Sequence, residues 1–473
     1  MSFSSVQNRL GKYAERELST LLGTEVAIGE VSFSPFNRIT LSDVSVLDDN
    51  GQVALSVGHL GAGISIGETL WNKRIIITYA ELIDLNLKLY KDSANAPLNI
   101  QPIIARLNKG DKNTPSKFDL AVNMVVIRRS NVQFDIMDAL GPVPGKFDKN
   151  HIFISDLRAD LQAPEISNGR FIIDIKRLAA TERSGIVLEE LSSHVEIDSI
   201  SAVVDNFNLV LPSSELKFGK IAIASPLSPD FDVAKSLLSP VSILDGSHLS
   251  IQELAPFVPA FNNIDTTFDI ELLAEGTLDD LEIKKIDISD RDLDIWVKGT
   301  GYVRNLTKGR DSLTFSFQKF DIGVNLPSIS KYASLSGLPF NKVEGTLMSL
   351  NPLGLVNLTG NISGTSRNLD LDGRLLTDCG DIDIDFGIMR GIQSEIKIDG
   401  TISSSYFDPS LLGSNLSKFT GVSVESEFDL AIYRNGNIKG NTDINIPEIE
   451  YGGYKYTDIT ANAVFTGNNA DIE

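Results

Sequence analysis

Between Thr267 and Ala274 the chain reads TFDIELLA, with Phe268, Ile270, Leu272 and Ala274 at every second position and Thr267, Asp269 and Glu271 between them. A period of two is the strand period, because successive strand side chains point to opposite faces. A helix, turning every 3.6 residues, cannot keep such a stripe together. The same alternation recurs at Leu293, Ile295 and Val297, at Leu313, Phe315 and Phe317, and at Ile396 and Ile398. It recurs again at Phe428, Leu430 and Ile432, and at Ile382, Ile384 and Phe386, which interleave with Asp381, Asp383 and Asp385. One apolar and one polar face per strand predicts antiparallel sheets that are dry on one side and wet on the other. Parallel units are not expected, since no helix of about 10–15 residues separates successive strands.

The first half opens differently. From Ser5 to Leu22 the apolar residues Val6, Leu10, Tyr13, Ala14, Leu18, Leu21 and Leu22 recur at steps of three and four, which predicts one helix. Ser4 or Ser5 can cap its start, and Gly23 stands where a left-handed residue stops it. Such a helix either packs on the edge of a domain or lies next to a membrane and plugs the end of the β region. Strands are then expected at Val26–Phe33, Ile39–Val46, Val53–Val57, Gly63–Ile66, Arg74–Ala80 and Asn86–Tyr90. Asp48-Asp49-Asn50-Gly51 marks a hairpin turn, because Asn-Gly accepts positive φ. A short helix fits Asn99–Asn108, with Asn99 as its cap and Ile100, Ile103, Ile104 and Leu107 on one face. Strands resume at Phe118–Ile127, Val132–Ile136, Ile152–Leu161, Phe171–Leu178, Val187–Val195 and Phe207–Leu211, while periodicity is poor from Ser213 to Leu249.

A loose repeat organises the second half. Short helical stretches are expected near Ser250–Phe261, Pro327–Ser334 and Asp408–Leu416, and Ser250 with Glu253 reads as a capping box. Their starts at 250, 327 and 408 differ by 77 and 81 positions. Gly276, Gly299, Gly301, Gly345, Gly360, Gly364, Gly400 and Gly440 interrupt the strands between them, as at bulges or bends. The expected organisation is a helix at 1–23, a first β region at 24–249 with its short helix near 99–109, and a repetitive β region at 250–473.

Composition removes several classes of function. With 42 basic and 63 acidic residues the net charge is −21, which opposes non-specific nucleic-acid binding and docking on anionic lipid. The single cysteine, Cys379, excludes an internal disulfide framework. His59, His151, His194 and His248 lie in no metal-ligand spacing. The longest apolar runs, such as Ile75–Ile77 and Val122–Ile127, fall far short of the roughly 20 residues that cross a bilayer. Ser2-Phe3-Ser4-Ser5 and the amphipathic segment after them do not form a signal peptide, so the chain is either cytosolic or preceded by further sequence. The ending at Asn468-Asn469-Ala470-Asp471-Ile472-Glu473, just after a strand-like run, reads as an interruption of a longer chain.

Catalytic signatures are missing from the sequence. It contains no nucleophile elbow, no phosphate-binding loop and no strand–GxGxxG–helix unit, so neither an enzyme nor a cofactor is expected. Asp381-Ile-Asp-Ile-Asp385 opens like a calcium loop, but Phe386 stands where that loop needs glycine. Those acids, and Asp287, Asp290, Asp292 and Asp294, read as solvated strand faces. Asn305, Asn357, Asn361 and Asn415 begin Asn-x-Ser/Thr triplets, as chance allows in a chain rich in these residues. A carbohydrate-binding or adhesive array would need clustered exposed aromatics, and only Trp71 and Trp296 are tryptophan.

The face asymmetry remains. Either a second sheet covers the apolar face, as in a sandwich, or the sheet curls so that this face lines a trough open to something apolar. The repeat and the shortage of long helices favour the trough: a mainly β, elongated, curled antiparallel β-groove with a few short helices. Its candidate lining is Phe268, Ile270, Leu272, Leu293, Ile295, Val297, Phe315, Phe317, Ile382, Ile384, Phe386, Ile396, Ile398, Phe428, Leu430 and Ile432.

Three stretches near the N-terminus carry a family likeness: Ser5-Val6-Gln7-Asn8-Arg9-Leu10, Leu21-Leu22-Gly23-Thr24-Glu25-Val26-Ala27-Ile28-Gly29 and Phe33-Ser34-Pro35-Phe36-Asn37-Arg38-Ile39-Thr40-Leu41. With Val46-Leu47-Asp48-Asp49-Asn50-Gly51, and later Ile446–Tyr451 and Tyr454–Ile459, the chain resembles TamB-like translocation and assembly module proteins of the AsmA-like superfamily. The resemblance implies a periplasmic β-groove, anchored to the inner membrane by a helix that this chain lacks. It implies phospholipid or another acyl-chain ligand moving between inner and outer membranes, with membrane contact only through that anchor. The alternative it implies is a scaffold for outer-membrane protein assembly with an Omp85-type partner, working by strand addition at open edges.

Overall fold

The computed structural model describes residues 3–473, apart from 35–37, 65–74, 109–117, 168–169, 226–239, 293, 330–349, 392–394 and 468. The chain is mainly β, with 67% in strands, and its sheet is open and curled, antiparallel except for one parallel pair, with few short helices. It divides into two compact units. Unit 1 comprises residues 1–217, 225–229 and 253–259, and unit 2 comprises 218–224, 230–252 and 260–473.

Unit 1 begins with helix α1 (Phe3–Leu22), which Gly23 ends at φ +64°. Strands β1 (Val26–Ser34), β2 (Arg38–Leu47), β3 (Val53–Ile64) and β4 (Ile75–Lys91) follow. Ala14, Leu18 and Leu22 of α1 pack on a core of Val26, Ile28, Val31, Val44, Val57 and Leu85. The helix also serves the edge of β1. Ser19 Oγ accepts from Val26 N at 3.0 Å, and Glu15 Oε1 accepts from Ile28 N at 2.9 Å. Thus one amphipathic helix covers the apolar face of β1–β4 and occupies backbone donors that an edge strand would leave open. Asp48 forms the expected turn, accepting from Asn50 N and Gln52 N at 2.9 Å each.

The rest of unit 1 departs from the reading above in two ways. First, β4 and β5 (Phe118–Ile136) run parallel, joined through helix α2 (Gln101–Asn108). This corrects the all-antiparallel expectation: a helix of eight residues suffices when the connection spans 92–117. Asn99 does not cap α2. Its Oδ1 accepts from Tyr90 N at 3.0 Å and its Nδ2 donates to Lys88 O at 3.0 Å, so it pins the end of β4. Second, stretches expected as separate strands are single long ones. Val53–Val57 and the described start of the stretch at Gly63 merge in β3, the rest of that stretch lying outside the described residues, while the segments about Asp84 merge in β4 and those about Arg129 merge in β5. The polar interruptions at Arg129 and Asp156 are bulges, whereas at Asp84 the pairing with β3 and β5 keeps its register. Asp84, Arg129 and Asp156 have φ of 57°, 51° and 52°. Strands β6 (His151–Ser167), β7 (Arg170–Glu182), β8 (Val187–Ile197) and β9 (Ser201–Val210) continue the sheet, with register shifts at Ile127/Ser130, Ser155/Arg158, Ile175/Leu178 and Ser192/His194. Bulges on successive strands add local twist and bend, which supplies the curl.

The short strands β10 (Glu215–Phe218) and β11 (Ile221–Ala224) fall at the division between units. Unit 2 is an antiparallel meander: β12 (Val241–Ser250), β13 (Thr267–Thr277), β14 (Asp280–Asp290), β15 (Ile295–Arg304), β16 (Thr314–Asn325), β17 (Leu355–Thr365) and β18 (Asn368–Thr377). It continues through β19 (Gly380–Arg390), β20 (Ile396–Phe407), β21 (Phe419–Ile432), β22 (Ile438–Tyr451), β23 (Tyr454–Gly467) and β24 (Asn469–Ile472). The expected helical stretches are only 3₁₀ turns, at Ile251–Leu254 and Pro259–Asn263, and at Pro409–Leu412 and Ser414–Leu416. The stretch at Pro327–Ser334 lies mostly outside the described residues. Ser250 and Glu253 make no capping box, because the Glu253 carboxylate instead accepts from Ser213 N and Ser214 Oγ. Asp408 does cap its turn, accepting from Ser410 N at 2.9 Å.

Candidate functional site

The strand registers of unit 2 decide which side chains share a face, because residues directly opposite on paired strands lie on the same side of the sheet. One row runs Ile270–Ile288–Val297–Ile322–Leu358–Leu375–Ile382 from β13 to β19. A second runs Ala274–Ile283–Gly301–Phe317–Ile362–Leu371–Phe386–Gly400–Phe428–Thr442–Ala463 from β13 to β23. A third runs Leu281–Val303–Phe315–Gly364–Leu369–Ile388–Ile398–Leu430–Gly440–Phe465 from β14 to β23. Phe268 and Leu272 lie beside Ile270, Ile295 beside Val297, Ile384 between Ile382 and Phe386, and Ile396 opposite Ile432. The sheet therefore brings the described candidates onto one face, and Leu293 lies outside the described residues. Ten ladder steps of about 4.8 Å make the second row roughly 48 Å long.

The sequence did not single out the middle of this face. Ile286, Ile288, Leu358, Ile362, Leu371, Leu375 and Ile402 belong to it. In β17 and β18 the alternation is present, but Gly360, Gly364 and Gly373 occupy apolar-face positions and dilute it. Gly400 and Gly440 are not bulges, since their ladders run unshifted. Gly400, at φ +151°, sits between Phe386 and Phe428, and a Cβ there would lie 2.2 Å from Asp385 O.

No layer closes this face among the described residues. Of its candidate lining, every described member is half-buried except Ile396, which is exposed. Among the described residues the fully buried apolar ones of unit 2 are Ile264, Ala274, Ile283, Phe320, Leu371, Cys379 and Ala463. A sandwich of this size would sequester the inward side chains of every strand. Polar groups on the face are themselves paired: Ser426 and Thr442 hydroxyls lie 3.1 Å apart. Asp290, opposite Phe268 and 2% exposed, corrects the solvated-face reading for that residue. Its Oδ1 accepts from Asp294 N at 2.7 Å and Ile295 N at 3.1 Å, forming the β14–β15 turn.

The opposite face is wet and charged. Lys285 binds Glu271 at 2.6 Å, Lys298 approaches Asp287 at 3.5 Å, Arg374 binds Asp381 at 2.8 Å, and Trp296 Nε1 donates to Asp321 at 2.7 Å. Asp383 and Asp385 are exposed there, as alternation required. Depressions of about 600 Å³ and 750 Å³ open on this polar face, the first bounded by Thr401, Ser403, Glu425, Glu427, Asp443 and Asn445. A twisted sheet is saddle-shaped, hollowed along one diagonal on each face, so polar hollows coexist with an apolar lane behind them. Among the described residues no cluster of three or more His, Cys, Asp or Glu is placed to hold a metal ion.

In unit 1 the structure joins groups that sequence spacing left apart. His151 Nδ1 meets Asp135 at 2.8 Å, while His194 meets Asp174 at 2.5 Å and Glu196 at 3.1 Å. The hydrogen bonds to these carboxylates, Asp135 for His151 and Asp174 for His194, raise both imidazoles above their usual pKa. These pairs tie neighbouring strands together.

The class defined by this geometry is an open, curled antiparallel sheet with segregated apolar and acidic faces. Among known proteins the chain matches no family model, no curated sequence and no solved structure. No described helix is long and apolar enough to cross a membrane.

Proposed function

We propose that the apolar face of unit 2 is a lane for acyl chains, and that the chain is a periplasmic segment of an inner-membrane-anchored, TamB- or AsmA-like envelope protein that moves phospholipid between membranes. The observation that carries this reading is the continuity of the three apolar rows across successive strands, with no layer over them among the described residues. The N-terminal resemblance to that family supports the setting. An acyl chain asks only for apolar contact, at about 0.8 kcal/mol per buried methylene. Such a lane needs no catalytic group and no fixed binding residue. The acidic opposite face keeps the body soluble and apart from anionic surfaces.

The test is native mass spectrometry and solvent extraction of the purified chain. Phospholipid should co-purify at one or more molecules per chain, and Phe428→Asp or Leu430→Asp should abolish it. Lipid retained at the wild-type level in both variants would remove the lane.

A further inference from the structure

The hairpin joining β5 to β6 is out of scale with its neighbours. It occupies residues 137–150, whereas the β7–β8 hairpin on the same rim of unit 1 turns within 183–186. Hairpin loops ordinarily take about 2–5 residues, and longer ordered ones are generally functional. This one is built rather than slack. Met137 N donates to Lys91 O at 2.9 Å, Ile136 N to Asn150 O at 2.8 Å, Lys146 N to Val143 O at 3.2 Å and Phe147 N to Pro256 O at 2.9 Å. Phe147 also packs on Phe257 with ring centroids 5.1 Å apart. On that base the tip carries its apolar side chains outward: Leu140 is 92% exposed, Met137 64% and Val143 61%. Pro142 and Pro144 stiffen the tip.

We propose that this loop is a membrane-contact element that seats Leu140, Val143 and Met137 in the interfacial zone of a lipid bilayer. Three features favour a bilayer over a protein pocket. Residues 139–145 carry no charge in a chain of net charge −21, and the flanking Asp138, Lys146, Asp148 and Lys149 cancel. The contact is therefore apolar and calls for no anionic surface. Leu140 stands almost clear of its own protein, so a pocket would have to enclose it from every side, whereas a fluid phase closes around it unaided. Residues 140–143 lie outside any helix or strand, and apart from Val143 O, which accepts from Lys146 N, and the Leu140 backbone, which bonds His151, head-group water and esters can serve their backbone groups, which a dry pocket would have to match one by one. Phe257 and Val258, also exposed on unit 1, extend the patch from the base of the loop. The proposal does not rest on the acyl-chain lane of unit 2.

Flotation of the purified chain with phosphatidylcholine vesicles tests it. Wild type should float, with little change between low and high salt because no ion pairing is involved. Leu140→Asp with Val143→Asp should lower the bound fraction about tenfold or more, since apolar side chains are traded for charges. Ile200→Asp, at a 76% exposed residue between β8 and β9, should leave flotation unchanged. A Leu140→Trp variant should shift its emission to the blue on adding vesicles. Absence of wild-type flotation, equal flotation of the loop variant, or a loss that Ile200→Asp reproduces would each overturn the proposal. So would vesicle-independent capture of the loop by a protein with no blue shift on lipid. Phe428→Asp should leave flotation intact, so failure of the lane and failure of the loop read out separately.

Discussion

Replacing Phe428 by Asp separates an open apolar face from a sealed one by magnitude. Phe428 lies between Gly400 and Thr442 in the second row and is half-buried. Full burial of such a side chain is worth about 1.5–3 kcal/mol, so a half-buried one contributes about 1–1.5 kcal/mol. On an open face the new carboxylate stays hydrated and adds little to that loss. Inside a closed core it would be an unpaired buried charge, and the cost would exceed about 4 kcal/mol. Hydrogen exchange over β20–β22 reads local opening free energies in this region. The expected result is a local loss of about 1–1.5 kcal/mol with the rest of unit 2 unchanged. A loss above about 4 kcal/mol, or unfolding of the unit, would refute the open-face reasoning.

Unit 1 should respond to pH through its histidine–carboxylate pairs. Hydrogen bonds to Asp174 and Glu196 raise the folded pKa of His194, and that to Asp135 raises His151, so their stabilisation is complete below the unfolded value of about 6.5. It is lost as pH rises through the folded values. The partner Asp174, lowered chiefly by His194, acts in the opposite sense and loses its contribution in acid. Exchange protection of β5–β8 should therefore fall from pH 6 to pH 9 in wild type but not in His194→Gln with His151→Gln. Leu18→Ala, which opens a gap between α1 and the core under it, should cost about 2 kcal/mol and loosen β1–β4 in exchange while leaving β13–β23 untouched. Asp290→Ala strands the N–H groups of Asp294 and Ile295 and should cost about 1–3 kcal/mol in thermal unfolding. Asp290→Asn, which keeps the acceptor, should recover most of that.

Alternation made the two faces legible wherever an apolar residue filled every second position, as in Thr267–Ala274 and Gly380–Arg390. It failed where glycine held the apolar-face position, and so β17 and β18 were passed over although they complete the lane. Charged residues inside strands misled in the other direction. Asp84 and Arg129 look like loop residues, yet both are positive-φ residues inside strands, Arg129 at a bulge against β6 and Asp84 with its ladders unshifted, and their side chains pair at 2.9 Å and 3.0 Å. The parallel pairing of β4 and β5 has no local signal, because direction is set by the route of the connection and not by either strand's own pattern. Asp290 shows the same limit, since its burial depends on a turn that folds back over its carboxylate. The projecting 137–150 loop left no mark in a search for periodicity, as it has none.

Benzophenone photo-crosslinking along β21 asks most directly which face meets acyl chains. Placed at Phe428 or Leu430, in cells or with phospholipid vesicles, the probe should label phospholipid, and placed at Glu427 or Asp429 on the opposite face it should not. Labelling with no two-residue period, or from Glu427 and Asp429 instead, would contradict an acyl-chain lane on this sheet.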